Sequence, residues 1–147
     1  VEKPARAFAA VAAIRAELIA ELDRLAGSSP RNARANSMRA TLAIAEKRFA
    51  DARVALEAAL RADPRTPLAH FRLASLALFE NQPGVAIAEY ERERVLGDRP
   101  GLDLGIGMAH RLSGNAAQAR RHYQREALRY PGGPTARLAE QALGALK

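Results

Sequence analysis

The middle of the chain repeats a pattern in which a small residue is followed four positions later by a large one. The pairs are Ala52 and Leu56, Ala86 and Tyr90, and Ala119 and Tyr123. Successive pairs lie 34 and 33 residues apart, and Pro30, Pro64 and Pro131 follow the same spacing. A period of about 34 residues is typical of stacked helical hairpins. The pattern therefore predicts a repeat protein built from pairs of α-helices, and no strand is expected.

The N-terminal segment 4–26 is predicted to form one long amphipathic helix. Its apolar positions are spaced by three, four and seven residues, as on one face of a helix: Phe8, Val11, Leu18, Leu22 and Leu25, with Ile14 and Ile19 beside them. Pro4 fits the first turn and Gly27 the exit. Three interpretations stay open: the remainder of an earlier hairpin, an N-terminal cap, or a dimerisation helix. Because the chain begins at Val1, we expect a fragment of a longer protein or a processed chain.

Turn residues divide the rest of the chain into three hairpins and a last helix. Asn32, Thr66 and Asn115 are predicted N-caps, Pro67 is placed in the first helical position, and Gly114 is expected to end a helix in the left-handed conformation. The last helix should cover the apolar face that the final hairpin would otherwise expose. The predicted segments are hairpin one at 33–64, with helices 33–47 and 49–62; hairpin two at 67–98, with helices 67–80 and 83–96; hairpin three at 101–131, with helices 101–112 and 116–130; and the capping helix at 134–146.

This arrangement resembles the tetratricopeptide repeat (TPR) family, whose pattern has a Leu-Gly pair in the first helix and then Ala, a large residue and Pro. Leu73-Ala74 and Ile106-Gly107 match the pair. The resemblance covers about residues 33–131. It implies an all-α, right-handed α-solenoid of three TPR-like hairpins, with an extra N-terminal helix and a C-terminal capping helix, in a single domain 1–147.

Small residues at these positions let two helices approach closely, and the large residues fill the gap between hairpins. Gly107 takes such a small position, whereas no packing role is evident for Gly105. The chain departs from the family at Glu93 and Glu126, where a small Ala is usual. Both Glu residues belong to a Tyr-x-Arg-Glu string that recurs after 33 residues, so hairpins two and three are more similar to each other than to hairpin one.

Composition narrows the function classes only a little. The chain has 147 residues, no Cys and a net charge of +7, and 20 of its 23 basic residues are Arg. Such a charge is compatible with an acidic protein, nucleic acid or an anionic surface as partner, but 16 interspersed acidic residues favour a compositional origin. The N-terminal apolar stretch carries four charged residues, which argues against a signal-peptide core or a membrane span. We expect a soluble bacterial protein of the cytoplasm or periplasm, and the sequence does not choose between the two.

No group of residues predicts catalysis. His70, His110 and His122 lack a zinc-ligand spacing, and packed or hydrogen-bonded roles are favoured for His70 and His110. The Gly-x-Gly at 105–107 follows no strand and lacks the third Gly of a nucleotide-binding fingerprint. The carboxylates mostly alternate with Arg, as in a salt-bridged, solvated helix face. The prediction is a protein that is not an enzyme and that has no cofactor and no metal.

The TPR resemblance implies that the first helix of each hairpin lines a concave groove that binds the partner. The implied groove residues are Arg34, Ser37, Thr41, Ile44, Leu68, Phe71, Ser75, Leu78, Phe79, Leu104, Met108, Arg111 and Leu112. Three explanations of this apolar set stay open: a groove for an apolar or amphipathic partner with Phe71 and Met108 as anchors, a groove filled by helix 4–26 or by a second copy, or a register shifted by one so that these are core residues.

The predicted function is a protein–protein interaction module, an adaptor or assembly scaffold that binds a partner peptide or helix in the groove. The first alternative is a structural spacer or self-association domain, with homo-oligomers formed through the N-terminal helix. A basic nucleic-acid-binding helical repeat is a weaker alternative, because the basic residues are spread over every helix and few aromatic residues could stack on bases.

Overall fold

A computed structural model describes residues 3–28 and 32–146 and contains only helices in those ranges. The predicted all-α class and the hairpin order are confirmed. The helices are α1 (Lys3–Ser28), α2 (Ala33–Ala45), α3 (Phe49–Ala62), α4 (Ala69–Phe79), α5 (Pro83–Leu96), α6 (Leu102–Leu112), α7 (Ala116–Arg129) and α8 (Pro134–Ala145).

Two of the three predicted N-caps are confirmed. The Asn32 side chain accepts a hydrogen bond from the Ala35 N–H at 2.9 Å, and the Asn115 side chain accepts one from the Gln118 N–H at 3.2 Å. Each satisfies a backbone donor that the first helical turn leaves unpaired. Gly114 has a φ of +76°, as its predicted place in a left-handed turn requires.

The predicted start of α4 was wrong. Helix α4 begins at Ala69, so Pro67 precedes the helix, and the N-cap is Leu68, with a φ of +62°. The Thr66 hydroxyl donates to the Asp63 carbonyl at 2.6 Å, and to the Ala59 carbonyl at 3.2 Å, so it closes the end of α3 instead. At the other end of the chain, α1 continues through Gly27, the predicted exit, to Ser28.

The chain forms two compact units, Val1–Thr66 and Pro67–Lys147; the single domain expected from the sequence stays a prediction. In the first unit α2 and α3 pack as hairpin one, and α1 contacts α2. Ala52 and Leu56 are fully buried, as the repeat pattern predicts. Leu22 is the one buried residue of α1 among the described side chains, so the apolar stripe of that helix is covered only near its C-terminal end.

The second unit contains two hydrophobic clusters, each built around a tyrosine. Tyr90 on α5 packs among residues of α4, α5 and α6, which are Ala74, Ala77, Ala86, Leu102, Ile106 and Ala109. Tyr123 on α7 packs with Ala119 and with Ala139 of α8. Helix α8 therefore covers the apolar side of hairpin three, which is the role predicted for it.

The two glycines of α6 lie where the tyrosine rings press against the helix. A Cβ on Gly105 would lie 2.2 Å from the Tyr90 ring, and one on Gly107 would lie 2.6 Å from the Tyr123 ring. Gly107 thus has the close-packing role predicted for it. Gly105 has the same role toward Tyr90, and this explains why α6 tolerates a residue that weakens helices.

We predict that Gly105→Ala lowers the free energy of unfolding by about 1–3 kcal/mol, because the buried Tyr90 ring has no space into which it can move. Gly144→Ala is the matched control, since a Cβ there meets nothing within 4 Å. The control should be neutral or stabilising by up to about 1 kcal/mol through helix propensity. Urea unfolding followed by circular dichroism measures both, and equal stabilities of the two variants would contradict the packing role of Gly105.

Candidate protein-binding surface

In the second unit, the exposed apolar part of the predicted groove lies at the C-terminal end of α6. Met108, Arg111 and Leu112 are exposed, and their spacing of three and four residues places them on one helix face. Phe79, the last residue of α4, is exposed as well. Large apolar side chains beside an arginine form the kind of surface that anchors protein partners.

Three of the predicted groove residues pack inside the second unit instead. Phe71 contacts Tyr90 edge to face, with ring centroids 5.3 Å apart. Leu78 is half-buried against the cluster around Tyr90, and Leu104 is half-buried against the cluster around Tyr123. For Phe71, Leu78 and Leu104 the structure therefore favours core positions over partner anchors.

Two further residues of α4 and its entry also make internal contacts. The Ser75 hydroxyl donates to the Phe71 carbonyl at 3.0 Å and lies 3.2 Å from the Tyr90 hydroxyl oxygen. Leu68 is half-buried, and its N–H donates to Glu93. Their contribution to a binding surface is limited to the area that remains exposed.

The predicted groove residues of hairpin one belong to the first unit and all lie on α2. Arg34 and Thr41 are exposed, whereas Ser37 and Ile44 are half-buried. The Thr41 hydroxyl donates to the Ser37 carbonyl at 3.0 Å. This helix thus presents a mixed polar face, in contrast to the apolar end of α6.

Two buried glutamates, Glu93 and Glu126, hold the N-termini of the first helices in the second unit. Glu93 on α5 accepts hydrogen bonds from the N–H groups of Leu68 and Phe71, both at 3.2 Å. Glu126 on α7 accepts from the N–H groups of Gly101 at 2.8 Å and Leu104 at 3.3 Å. Each carboxylate therefore caps the other helix of its own hairpin, with help from the positive end of the helix dipole. The substitution of Glu for the usual Ala was the sequence signal for this role.

An acid–histidine pair links the two helices of each of these hairpins, with the partners exchanged between them. In hairpin two, His70 on α4 contacts Glu89 on α5 at 2.7 Å. In hairpin three, Asp103 on α6 contacts His122 on α7, also at 2.7 Å. The 33-residue repeat relates position 70 to 103 and position 89 to 122. The first position is the one at which the TPR pattern has Trp, so a polar pair replaces an aromatic contact.

Asp103 is the centre of an ion network across α5, α6 and α7. Its buried carboxylate lies 3.0 Å from Arg94 and 3.8 Å from Arg125, in addition to the contact with His122. Burial raises the pKa of Asp103, but the hydrogen bonds from His122 and Arg94 and the charges of Arg94 and Arg125 outweigh it. The net effect lowers the pKa from 3.8 to about 2. The carboxylate is therefore ionised at neutral pH and has a structural role.

His110 stacks on His122, with ring centroids 5.4 Å apart and an interplanar angle of 16°. Burial, and then the proximity of His122, lower the pKa of His110. The ring is thus favoured in its neutral form, which agrees with the packed role predicted for it. Within the described ranges, no group of three or more His, Asp and Glu side chains could hold a metal ion.

The first unit contains a cavity of about 250 Å³ among α1, α2 and α3. Two ion pairs contribute to its lining, Asp23–Arg39 at 2.7 Å and Asp51–Arg48 at 2.8 Å. The remaining lining residues are Ile19, Leu42, Ala43, Val54 and Ala55. Typical small-molecule sites are larger, at about 300–1,000 Å³, and the charged groups here are already paired, so we assign no ligand to this cavity. Among the helices in the described ranges, none is long and apolar enough to span a bilayer.

Comparison with known proteins supports the fold and leaves the family open. No protein-family model matches the sequence, and no curated protein matches it. Among solved structures, the chain is similar to "PilW, widely conserved type IV pilus biogenesis factor", with a TM-score of 0.72 and 23% sequence identity over 86% of this chain. The match covers 59% of the PilW chain. A similarity at this identity shows the fold alone, which is of the TPR-like helical-hairpin type that the sequence predicts.

We predict that acid weakens the fold partly through Asp103. Because its folded-state pKa lies below the unfolded value, Asp103 adds stability above about pH 4, and this contribution is lost as the pH falls toward 2. Between pH 5 and 2.5 the protein should therefore lose about 1–2 kcal/mol more than an Asp103→Asn variant. Urea titrations at several pH values measure the difference, and Glu140→Gln, at an exposed carboxylate, is the control. Parallel pH profiles of wild type and Asp103→Asn would disprove this role.

Proposed function

We propose that the chain is a TPR-type protein-interaction module, an adaptor or assembly scaffold that binds a partner peptide or helix with the first-helix face of hairpin three. The observation that carries the proposal is the exposed end of α6, where Met108, Leu112 and Arg111 share one face. The other side of α6 is committed to Tyr90 and Tyr123 through its two glycines. The helix is thus fixed from inside the unit and exposes apolar side chains outside it.

The chemistry of this face suits an amphipathic partner. A helix or extended segment could insert an apolar side chain between Met108 and Leu112, and Met adapts well to irregular partners. Arg111 could then pair with a carboxylate at the edge of the contact. Compared with the groove expected from the sequence, this proposal moves the main anchors from Phe71 to Met108 and Leu112, because Phe71 is engaged with Tyr90.

The similarity to a pilus biogenesis factor supports an assembly role as part of the same proposal. The PilW title describes a protein that contributes to building an assembly. The shared fold suits such work because helical hairpins present extended faces to other chains.

Self-association through α1 is a second candidate function, and a specific observation favours it. Phe8, Val11, Ile14 and Leu18 are large apolar residues and are all exposed. They follow one another at spacings of three and four residues along the helix, as in the seam of a helix pair. A second copy of α1 could cover this stripe.

Binding through α6 predicts that Met108→Glu removes the partner. Affinity capture from nuclease-treated lysate, followed by mass spectrometry, should show at least about a tenfold loss of a discrete protein, since a buried charge at an anchor costs more than 1.4 kcal/mol. Met38→Glu is the matched control, because Met38 on α2 is 42% exposed and Met108 is 37% exposed. If both variants retain the same proteins, α6 is not the binding face. Circular dichroism must first show that both variants are folded.

Self-association through α1 predicts that Val11→Glu converts a concentration-dependent dimer into a monomer, because the substitution places a charge in the middle of the apolar stripe. Sedimentation equilibrium measures the association constant, which should fall by at least about tenfold. The control is Val95→Glu, at an exposed valine on α5. A monomeric wild-type protein at all concentrations would exclude this candidate.

A further inference from the structure

We infer that α7 carries a second interaction surface, a basic ridge that docks an acidic helical segment of another protein. The basic ridge consists of Arg121, Gln124, Arg125, Leu128 and Arg129. It lies on the second helix of hairpin three and does not include the α6 face, so the inference goes beyond the function proposed above and does not depend on it.

The three arginines of the basic ridge lie on one side of α7. They occupy positions i, i+4 and i+8, and all five side chains of the ridge are exposed. At 1.5 Å per residue, Arg121 and Arg129 are about 12 Å apart along the axis, and neighbouring arginines are about 6 Å apart. Carboxylates four residues apart on a partner helix have the same spacing and can pair with these guanidinium groups.

The positive charge of this part of the chain is not balanced by exposed carboxylates within it. Residues 104–139 contain six Arg but only one acidic residue, Glu126. Glu126 is fully buried and accepts hydrogen bonds from the backbone at the start of α6. The only carboxylate of α7 therefore lies on the face opposite to solvent and does not neutralise the ridge.

Two arginines of the ridge are held in place by acidic residues outside α7. Arg129 pairs with Asp98 at 2.7 Å, and Arg125 lies 3.8 Å from Asp103. Their side chains are still 55% and 54% exposed, and a guanidinium has five donors, so both retain donors for a partner. No carboxylate in the described ranges pairs with Arg121. The ridge thus combines two pre-positioned cations with one that is available in full.

A protein partner fits the basic ridge better than nucleic acid does. Leu128 is 82% exposed between Arg125 and Arg129, and a phosphate backbone offers no apolar contact for it. Stacking on bases requires exposed aromatic side chains, but the Tyr123 ring on this helix is fully buried. An acidic helix with one apolar residue on its acidic face would satisfy both the arginines and Leu128.

The test uses the full chain and a defined probe. The probe is a fluorescein-labelled helical peptide with Glu at every fourth position and one Leu on the same face, and a reference peptide carries Gln in place of Glu. Fluorescence anisotropy at low salt should give a dissociation constant at least about tenfold lower for the Glu peptide, and added salt should reduce that difference. Equal affinities for the two peptides would overturn the inference.

Matched variants locate the probe on the chain. Arg121→Glu should weaken binding of the Glu peptide about five- to tenfold, while Arg61→Glu, an equal change of net charge at an exposed arginine of α3, should change it less than about twofold. Leu128→Ser should weaken binding of the Leu-containing peptide but not of a peptide with Ser in its place. Leu128→Ser retains the charge of the ridge and serves as an independent test if Arg121→Glu does not fold.

Two further measurements distinguish the basic ridge from its alternatives. Met108→Glu should leave binding of the Glu peptide unchanged, and a loss confined to that variant would place the probe on α6 and overturn the inference. A labelled single-stranded DNA that binds more tightly than the Glu peptide, and that Arg121→Glu releases, would also overturn it in favour of a nucleic-acid surface.

Discussion

The hydrogen bonds from backbone N–H groups to the buried carboxylates of Glu93 and Glu126 are the contacts on which the rest of the second unit depends. The first turns of α4 and α6 leave backbone donors unpaired, and neither Leu68 nor Gly101, the N-cap residues, offers a side-chain acceptor. A charge buried without such donors would cost several kcal/mol. Carboxylate and helix start therefore require each other, which fixes the start of each first helix relative to the second helix of its hairpin.

The acid–histidine pairs add a second tie between the same helices, and their exchange shows what the repeat conserves in physical terms. Hairpin two places His70 on its first helix and Glu89 on its second, whereas hairpin three has Asp103 and His122 in the corresponding places. Either order gives one hydrogen bond between the helices. The requirement at this position is thus a complementary polar pair, and the identity of each partner is secondary.

The sequence predicted the helices well because their signals are local. Asn32, Asn115 and Gly114 act within a few residues of their own position, and the 34-residue period follows from helix packing. The start of α4 depended on Glu93, 25 residues away from Leu68, so local turn signals misplaced it. Which side chains of the first helices face inward was equally non-local, since Phe71 is half-buried because of its contact with Tyr90. An exposed end of α6 could be identified only once the tyrosines were placed.

The contrast between α6 and α7 follows from how each helix is anchored. Gly105 and Gly107 let α6 lie directly against two tyrosine rings, so its packing uses backbone surface and leaves Met108 and Leu112 exposed. Helix α7 is anchored by three fully buried residues, Ala119, Tyr123 and Glu126. Because these three supply the apolar packing and the cap, the remaining positions of α7 carry no packing requirement and can be arginine. One hairpin can thus expose an apolar face on one helix and a cationic face on the other.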